Sequence, residues 1–375
     1  MMAASHDDDA NRSPRSLADY ERAALRGMSP EARSYIEGGA ADEITLRDNV
    51  AAWRRLALRP RMLAGAECDL STELLGVRRA HPVLVAPTAF QQLVHPDGEI
   101  AVAHAAAATD TIMCVSTLAS AGPAAVAQAV PDQTRWFQLY VFVDRGITRE
   151  LIRSAAAHGY EALVVTVDRP VLGLREREWR SNVRNVSLRG PSQSAPTTGG
   201  PGPGHGTPPG DYSALIDRNL RWSDIARFAA ESPLPVVVKG ILASEDAELA
   251  IEHGARGVIV SNHGGRQLDT ALSGADALAP LADAVADRID VLVDGGIRRG
   301  TDVVKAVALG ARGVLVGRPL TWGLALGGAA GAQHVLEILL AELRTALVLT
   351  GSPRLADLDR SFVIPAPWAP AGPTG

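Results

Sequence analysis

Two cysteines in 375 residues, Cys68 and Cys114, are too few for a disulfide framework, and they have no metal-ligand spacing. Both are expected to pack as small apolar residues in a reducing, cytoplasmic compartment. An excess of charge of one sign is also missing. Thirty-seven Lys and Arg against 42 Asp and Glu leave a net charge of -5, with no basic block. This argues against a nucleic-acid partner or an anionic membrane surface. No uninterrupted apolar run reaches the ~18 residues needed to cross a bilayer. The longest candidate, 336–349, is broken by Glu337, Glu342 and Arg344 at helical spacing and reads as an amphipathic helix packed on a core. The N-terminus, MMAASHDDDANRSPRS, has acids where a signal peptide has bases, so residues 1–15 are expected to be a disordered leader. Histidines other than His263 show no ligand spacing with one another, and no metal site is expected. A first strand leading into G-x-G-x-x-G, the mark of an open dinucleotide-binding sheet, is absent.

Present instead is 46% hydrophobic composition, ample for a large core, arranged in short β-branched runs. These are 83–86, 112–116, 136–140, 162–167, 236–239, 258–261, 291–294 and 314–317, and each closes on a polar or glycine-rich element. Ala-rich stretches with helical periodicity lie between them, such as 98–108, 148–158, 244–253 and 301–309. Apolar runs of this length without alternation are what fully buried parallel strands look like. Eight of them alternating with helices predict an α/β fold, a closed (β/α)8 TIM barrel over residues 16–355 with an N-terminal helical segment. Residues 187–213, rich in Pro, Gly and Ser, are expected to form a mobile insertion after the fourth strand, either a lid over the catalytic face or an excursion without a catalytic part. Residues 356–375 are expected to be an extended tail.

In such a barrel the strand C-termini and the loops after them form the active-site face. Those positions hold Pro87-Thr88-Ala89, Ser116, Gln138 and Tyr140, Thr166 and Asp168, Lys239, Ser261-Asn262-His263, Asp294-Gly295-Gly296 and Gly317-Arg318. Hydrogen-bonding or charged groups at nearly every strand end point to a large polar ligand. After the seventh and eighth strands, DGGIR and GR (Asp294 to Arg298, Gly317-Arg318) combine glycines, backbone N–H groups and arginines where barrel enzymes hold a phosphate, unless the glycines serve tight turns alone. His263, directly beyond a buried strand, can accept a proton, and Asp168 can neutralise the imidazolium that forms. Arg266 three residues on, with Arg175, offers two guanidiniums for an anionic substrate; alternatively Arg175 pairs with a nearby acid.

At SNHGGRQLD (261–269), DGGIRRGTDVVKAVALGA (294–311) and GRP (317–319) the chain closely resembles the FMN-dependent 2-hydroxy acid dehydrogenase/oxidase family, over about residues 20–351. That family includes glycolate oxidase, lactate oxidase, flavocytochrome b2 and mandelate dehydrogenase. The resemblance implies His263 as the active-site base with Asp168 as its partner, and Arg175 and Arg266 as ligands of the substrate carboxylate. It implies Tyr140 and Tyr35 hydrogen-bonding the substrate, and Lys239 beside the flavin N1/O2 edge. Pro87, Thr88, Ala89, Ser116, Gln138 and Thr166 would line the isoalloxazine. Ser261 and Gly295 are counted with the cofactor shell, and Asp294, Gly296, Arg298, Gly317 and Arg318 would hold the ribityl phosphate. Two positions depart from the pattern. Leu118 replaces a tryptophan of glycolate oxidase, which implies room for a larger substrate side chain, and Phe90 stands where methionine is common.

The reaction implied is (S)-2-hydroxy acid to 2-oxo acid with two-electron reduction of FMN, His263 taking either the hydroxyl or the α-carbon proton. Oxygen is the expected acceptor, giving hydrogen peroxide, with a quinone or a partner protein as the alternative. A different FMN-barrel chemistry, a non-flavin lyase and a non-catalytic FMN-binding protein are the remaining readings. The resemblance further implies a homotetramer. Residues 187–213 differ from the apolar membrane-binding insert of mandelate dehydrogenases, in keeping with a soluble enzyme.

Overall fold

The eight β-branched runs become eight parallel strands of one closed barrel in a computed structural model that describes residues 14–181 and 212–369. The expected leader and the Pro/Gly-rich insertion lie, except for their last residues, outside the described residues. Three short helices come first, α1 (Leu17–Gly27), α2 (Pro30–Glu37) and α3 (Ile44–Arg54). Ser16 and Ser29 start the first two by accepting the Asp19 and Ala32 N–H groups, and Pro30 occupies the first turn, where no N–H is needed. Strand β1 (Leu56–Leu58) and a hairpin of β2 (Thr72–Leu74) and β3 (Val77–Arg79) follow.

The barrel itself is β4 (Val83–Val85), β5 (Ile112–Ser116), β6 (Arg135–Leu139), β7 (Ala162–Thr166), β8 (Val236–Ile241), β9 (Gly257–Val260), β10 (Asp290–Asp294) and β11 (Gly313–Val316), with β11 closing on β4. The helices are α4 (Gly98–Ala108), α5 (Pro123–Ala129), α6 (Arg145–Ala157), α7 (Glu176–Arg180), α8 (Trp222–Glu231), α9 (Ser244–Glu252), α10 (Gly274–Val285), α11 (Gly300–Ala308) and α12 (Arg318–Thr350).

Period-two geometry divides each strand between two cores. Leu84, Cys114, Trp136, Val164, Val237, Ile259, Leu292 and Leu315 point inward and fill the barrel together with Leu74 of the hairpin. Val83, Val85, Val291 and Val293 point outward against the helices. Each fully buried aliphatic side chain contributes ~1.5–3 kcal/mol relative to exposure. The hairpin is seated by the Leu75 N–H donating to Asp290 Oδ2 at 2.6 Å.

Cys114 is buried, as expected, and Cys68 is half-buried. Residues 336–349 form the second half of α12, which packs on α1, α4 and α11 and buries Val335, Leu336, Leu339, Leu343 and Leu347. By length and composition α12 is the one helix among the described residues that could cross a membrane, but its backbone leaves helical geometry at Gly327 and Gly328. Part of the expected tail is docked: β12 (Val363–Pro365) pairs antiparallel with β1, and Phe362 is buried.

Candidate active site

A cleft opens at the C-terminal ends of the barrel strands, and nearly all the residues singled out in the sequence line it. Three strands supply a row of neutral hydrogen-bonding groups. Ser116 Oγ donates to Gln138 Oε1 at 3.2 Å, and Gln138 Nε2 donates to Thr166 Oγ1 at 3.0 Å. The row follows from the register, which sets Ser116 beside Gln138 and Thr166 beside Lys239. Thr117 holds the next strand end in place, donating to the Gln138 carbonyl at 2.6 Å and accepting the Tyr140 N–H at 2.9 Å. Pro87, Thr88 and Ala89 complete that wall.

A bulge between β8 and β9 sets the buried cation. The register shifts between Lys239 and Ile241 around Gly240, whose φ is +112°. A Cβ at Gly240 would lie 2.6 Å from Asp168 Cβ, so glycine is required for the two strand ends to approach. Lys239 is fully enclosed, its Nζ 2.9 Å from Asp294 Oδ2 and 2.7 Å from Ser261 Oγ. Burial works against the ammonium, but Asp294 and Asp168 outweigh it and raise the lysine pKa above its ordinary value. Ser261 is wholly buried and lies beneath the cleft lining, next to Lys239 and His263. Its hydroxyl accepts from the Lys239 ammonium at 2.7 Å and from the His263 N–H at 3.1 Å.

His263, Gly264 and Gly265 all have positive φ, and this left-handed turn swings the imidazole over the cleft. Nδ1 lies 2.8 Å from Asp168 Oδ1 and Nε2 lies 3.3 Å from the Tyr140 hydroxyl. Burial pulls the imidazole pKa below its ordinary value against the opposing effect of Asp168, with Lys239 and Arg175 adding to the fall. Burial would raise the Asp168 carboxyl, but His263 and Lys239 hold it below the ordinary value. The dyad is therefore a neutral imidazole oriented by an ionised carboxylate, the state a general base needs.

Arg175 and Arg266 meet beside it. Arg175 Nε donates to the Arg266 carbonyl at 3.2 Å, and Nη2 donates to Gln267 Oε1 at 3.2 Å. Arg266 Nη1 donates to the Tyr35 and Gly38 carbonyls at 2.6 and 2.8 Å, and its guanidinium lies 4.9 Å from the centre of the Tyr35 ring. Burial pulls the Arg175 pKa to about 10 and raises that of Tyr35 to about 12. Tyr35, carried by α2, thus joins the site from outside the barrel.

Arg298 and Arg318 mark the opposite end. Arg298 sits 4.8 Å from the centre of the Trp322 ring and donates to the Ile297 carbonyl at 3.0 Å. Arg318 donates to the Ile36, Gly264 and Gly38 carbonyls. Burial, then Arg266, brings the Arg318 pKa down to about 9. Neither arginine makes an ion pair among the described residues, although both are half-buried in the cleft wall beside the Gly295-Gly296 and Gly317 turns. Two unpaired guanidiniums at glycine turns suit a phosphate dianion. Asp294 Oδ1 is buried without a hydrogen-bond partner and can accept from a ligand hydroxyl. A phosphate end, an acceptor, a neutral polar row and a buried ammonium match the chemistry of FMN from ribityl phosphate to ring.

Four participants escaped the sequence reading. Glu178 is buried between Arg175 and Arg266, and its spacing of three from Arg175 was the available signal. Arg169 lies 4.8 Å from the centre of the Tyr140 ring. Asn49 and Trp53 reach in from α3, Asn49 pairing amides with Asn262 at 2.9 and 2.8 Å and Trp53 Nε1 donating to the Gly295 carbonyl at 2.9 Å. No group of three or more His, Cys, Asp or Glu that could hold a metal occurs among the described residues.

The sequence profile of the FMN-dependent dehydrogenase family matches residues 24–365. The chain is 45% identical to an L-lactate oxidase of Nostoc sp., over 94% of this chain and 98% of that one. It is 42% identical to 2-hydroxyacid oxidase 2 of Homo sapiens, over 92% and 97%. A solved mandelate oxidase variant with (S)-mandelic acid superposes with a TM-score of 0.82 at 38% identity, over 93% of this chain and 98% of that chain. With the phosphate end, the buried ammonium and the His–Asp dyad in one barrel mouth, these matches show that the chain belongs to the FMN-dependent dehydrogenase family.

Proposed function

We propose that this FMN enzyme oxidises an (S)-2-hydroxy acid to the 2-oxo acid, with molecular oxygen as the terminal acceptor and hydrogen peroxide as the second product. The observation that carries this reading is the His263–Asp168 dyad set beside Arg175 and Arg266 in the cleft. A base and a carboxylate-binding pair must sit a few ångströms apart to act on an α-hydroxy carboxylate. Bound FMN would supply the two-electron redox chemistry that the side chains lack. His263 Nε2 removes a proton, from the hydroxyl or from the α-carbon, and Asp168 stabilises the imidazolium. Arg175 and Arg266 receive the carboxylate, and the Tyr35 and Tyr140 hydroxyls orient it and the α-oxygen. Lys239, a buried ammonium, would stabilise negative charge on a reduced flavin held in the cleft. Arg298 and Arg318, with the Asp294, Gly295, Gly296 and Gly317 turns, hold the ribityl phosphate end.

The substrate side chain would enter the apolar patch formed by Phe90, Leu118, Tyr140 and Ile216. We read that as room for an aliphatic or aryl group, as in mandelate. The oxidase names among the relatives support oxygen over a quinone or protein acceptor. A homotetramer in the cytoplasm completes the proposal; light scattering on the purified holoenzyme tests its stoichiometry.

The visible spectrum tests the reaction class, recorded anaerobically before and after a panel of (S)-2-hydroxy acids that includes lactate and mandelate. Bleaching of the yellow flavin band by one of them, reversed by oxygen with peroxide formed, is expected. A yellow protein that no hydroxy acid bleaches would sink the reaction, and bleaching that oxygen leaves unchanged would sink the oxidase assignment.

A further inference from the structure

The cations of the cleft fall into two groups. Lys239 has Asp294, and the imidazolium that His263 forms on taking a proton has Asp168, so the groups beside the reacting centre are paired one to one. The ligand-facing guanidiniums are in excess of carboxylates. Arg298 and Arg318 make no ion pair among the described residues, matching a dianionic phosphate. At the substrate end, Arg175 and Arg266 share one buried carboxylate. Both approach the same oxygen of Glu178: Arg266 Nη2 at 2.8 Å and Arg175 Nη1 at 3.6 Å. The Glu178 side chain is 11% exposed and lines the cleft.

Two buried like charges repel and would splay apart without a counter-charge. Glu178 arrives on the first turn of α7, three residues after Arg175, whereas Arg266 comes from the loop after β9. One carboxylate therefore ties two loops together. It also leaves the pair with one net positive charge, the charge that one carboxylate ligand cancels. Arg175, at the longer distance, is the looser partner and the one with more to gain from a ligand.

We propose that Glu178 is a positioning and specificity-determining residue: it sets the Arg175–Arg266 clamp to one net positive charge, so that the site accepts a single carboxylate and discriminates against a dianion there. The inference rests on the clamp assigned in the proposed function. Arg169 contributes a further cation on the Tyr140 ring, but it is common to every variant below and cancels in a ratio of affinities.

Oxamate and oxalate make the test, since they share size and shape and differ by one charge at neutral pH. Their dissociation constants are read from the perturbation of the flavin absorbance in the holoenzyme. In Glu178→Gln the preference for oxalate over oxamate is expected to rise ~10-fold or more, because one added unit of charge a few ångströms away outweighs the lost hydrogen-bond strength. Glu178→Asp keeps the charge, and its ratio should stay within ~3-fold of the parent, as expected for a group that acts by charge rather than reach. The double variant Glu178→Gln with Arg175→Gln restores one net charge and should bring the ratio back while weakening both ligands. It also stands in should the single variant fail to retain flavin. Equal weakening of oxamate and oxalate in Glu178→Gln, with the ratio unchanged, would reduce Glu178 to a packing role and overturn the proposal. Failure of the parent holoenzyme to bind either anion would instead overturn the clamp itself.

Discussion

His263 combines three constraints in one residue. Its backbone occupies left-handed space at φ +61°, its Nδ1 is held by Asp168, and its Nε2 faces the Tyr140 hydroxyl. Replacement by glutamine keeps a polar group of similar reach but no base. His263→Gln should retain the yellow chromophore and lose ~10²–10⁴-fold in the rate of anaerobic bleaching; normal bleaching would remove His263 from the role of base. The pH profile follows from the directions of the two pKa shifts. Burial lowers the imidazole below 6.5, so kcat/KM should be flat through neutral pH and fall only as pH drops below that value. Asp168→Asn removes the opposing upward pull, so its acid limb should move further down while the plateau rate falls. An acid limb above 6.5 in the parent would contradict a buried neutral imidazole. Leu118 decides a different property. Leu118→Trp fills the apolar patch, and the kcat/KM ratio for mandelate over glycolate should fall ~10-fold or more; an unchanged ratio would show that the side chain lies elsewhere.

Among the elements, α3 has the widest influence on the site without lying in the barrel. Asn49 and Asn262 exchange two amide hydrogen bonds, Trp53 donates to the Gly295 carbonyl, and the Asn49 carbonyl fills the space a Cβ would need at Gly296. That would-be Cβ would come 1.8 Å from the Asn49 oxygen, and at Gly265 it would come 2.6 Å from Leu46 Cα. The glycines of HGG and DGG thus admit a helix as well as a ligand. Asn49→Ala leaves part of the buried Asn262 amide unsatisfied, and should cost ~1–3 kcal/mol in urea unfolding. Flavin should also dissociate faster, because both glycine turns lean on the same helix. Stability and flavin retention equal to the parent would show that α3 packs passively.

At the scale of the whole molecule, the cleft is an electrostatic arrangement built on a neutral scaffold. The barrel interior is apolar and the charges of the cleft lie at its mouth. Among the described residues the Arg298 side chain hydrogen-bonds its neighbour's carbonyl and stacks on Trp322, while its backbone N–H, which a substitution keeps, donates to Asp302, so the guanidinium can be removed with little damage to the fold. Arg298→Met should weaken FMN binding to apoprotein ~10–100-fold in a fluorescence titration, the value of one or two charge-assisted hydrogen bonds. Riboflavin, which lacks the phosphate, should bind parent and variant alike. A similar loss for both ligands would mean that Arg298 supports the ring end or the fold.

The barrel was legible in the chain because its signals are local. Runs such as 112–116 and stretches such as 98–108 became β5 and α4 with unchanged bounds, since uninterrupted apolar residues can be buried on both faces only as parallel strands. Strand ends, being fixed by the same runs, also gave His263, Asp168, Lys239 and the two glycine turns. That Ser261 supports Lys239 and His263 from beneath was not legible, because the left-handed turn after it was unknown. Glu178, Arg169, Asn49 and Trp53 were not seen because they join the cleft through distant loops and α3. The sequence by itself determined the strands, the helices and the chemistry of their ends, whose causes lie within a few neighbouring residues. Only the tertiary structure decided which counter-charge Arg175 and Arg266 share and which helix closes on the glycine turns, because those contacts link residues up to 247 positions apart, as between Asn49 and Gly296.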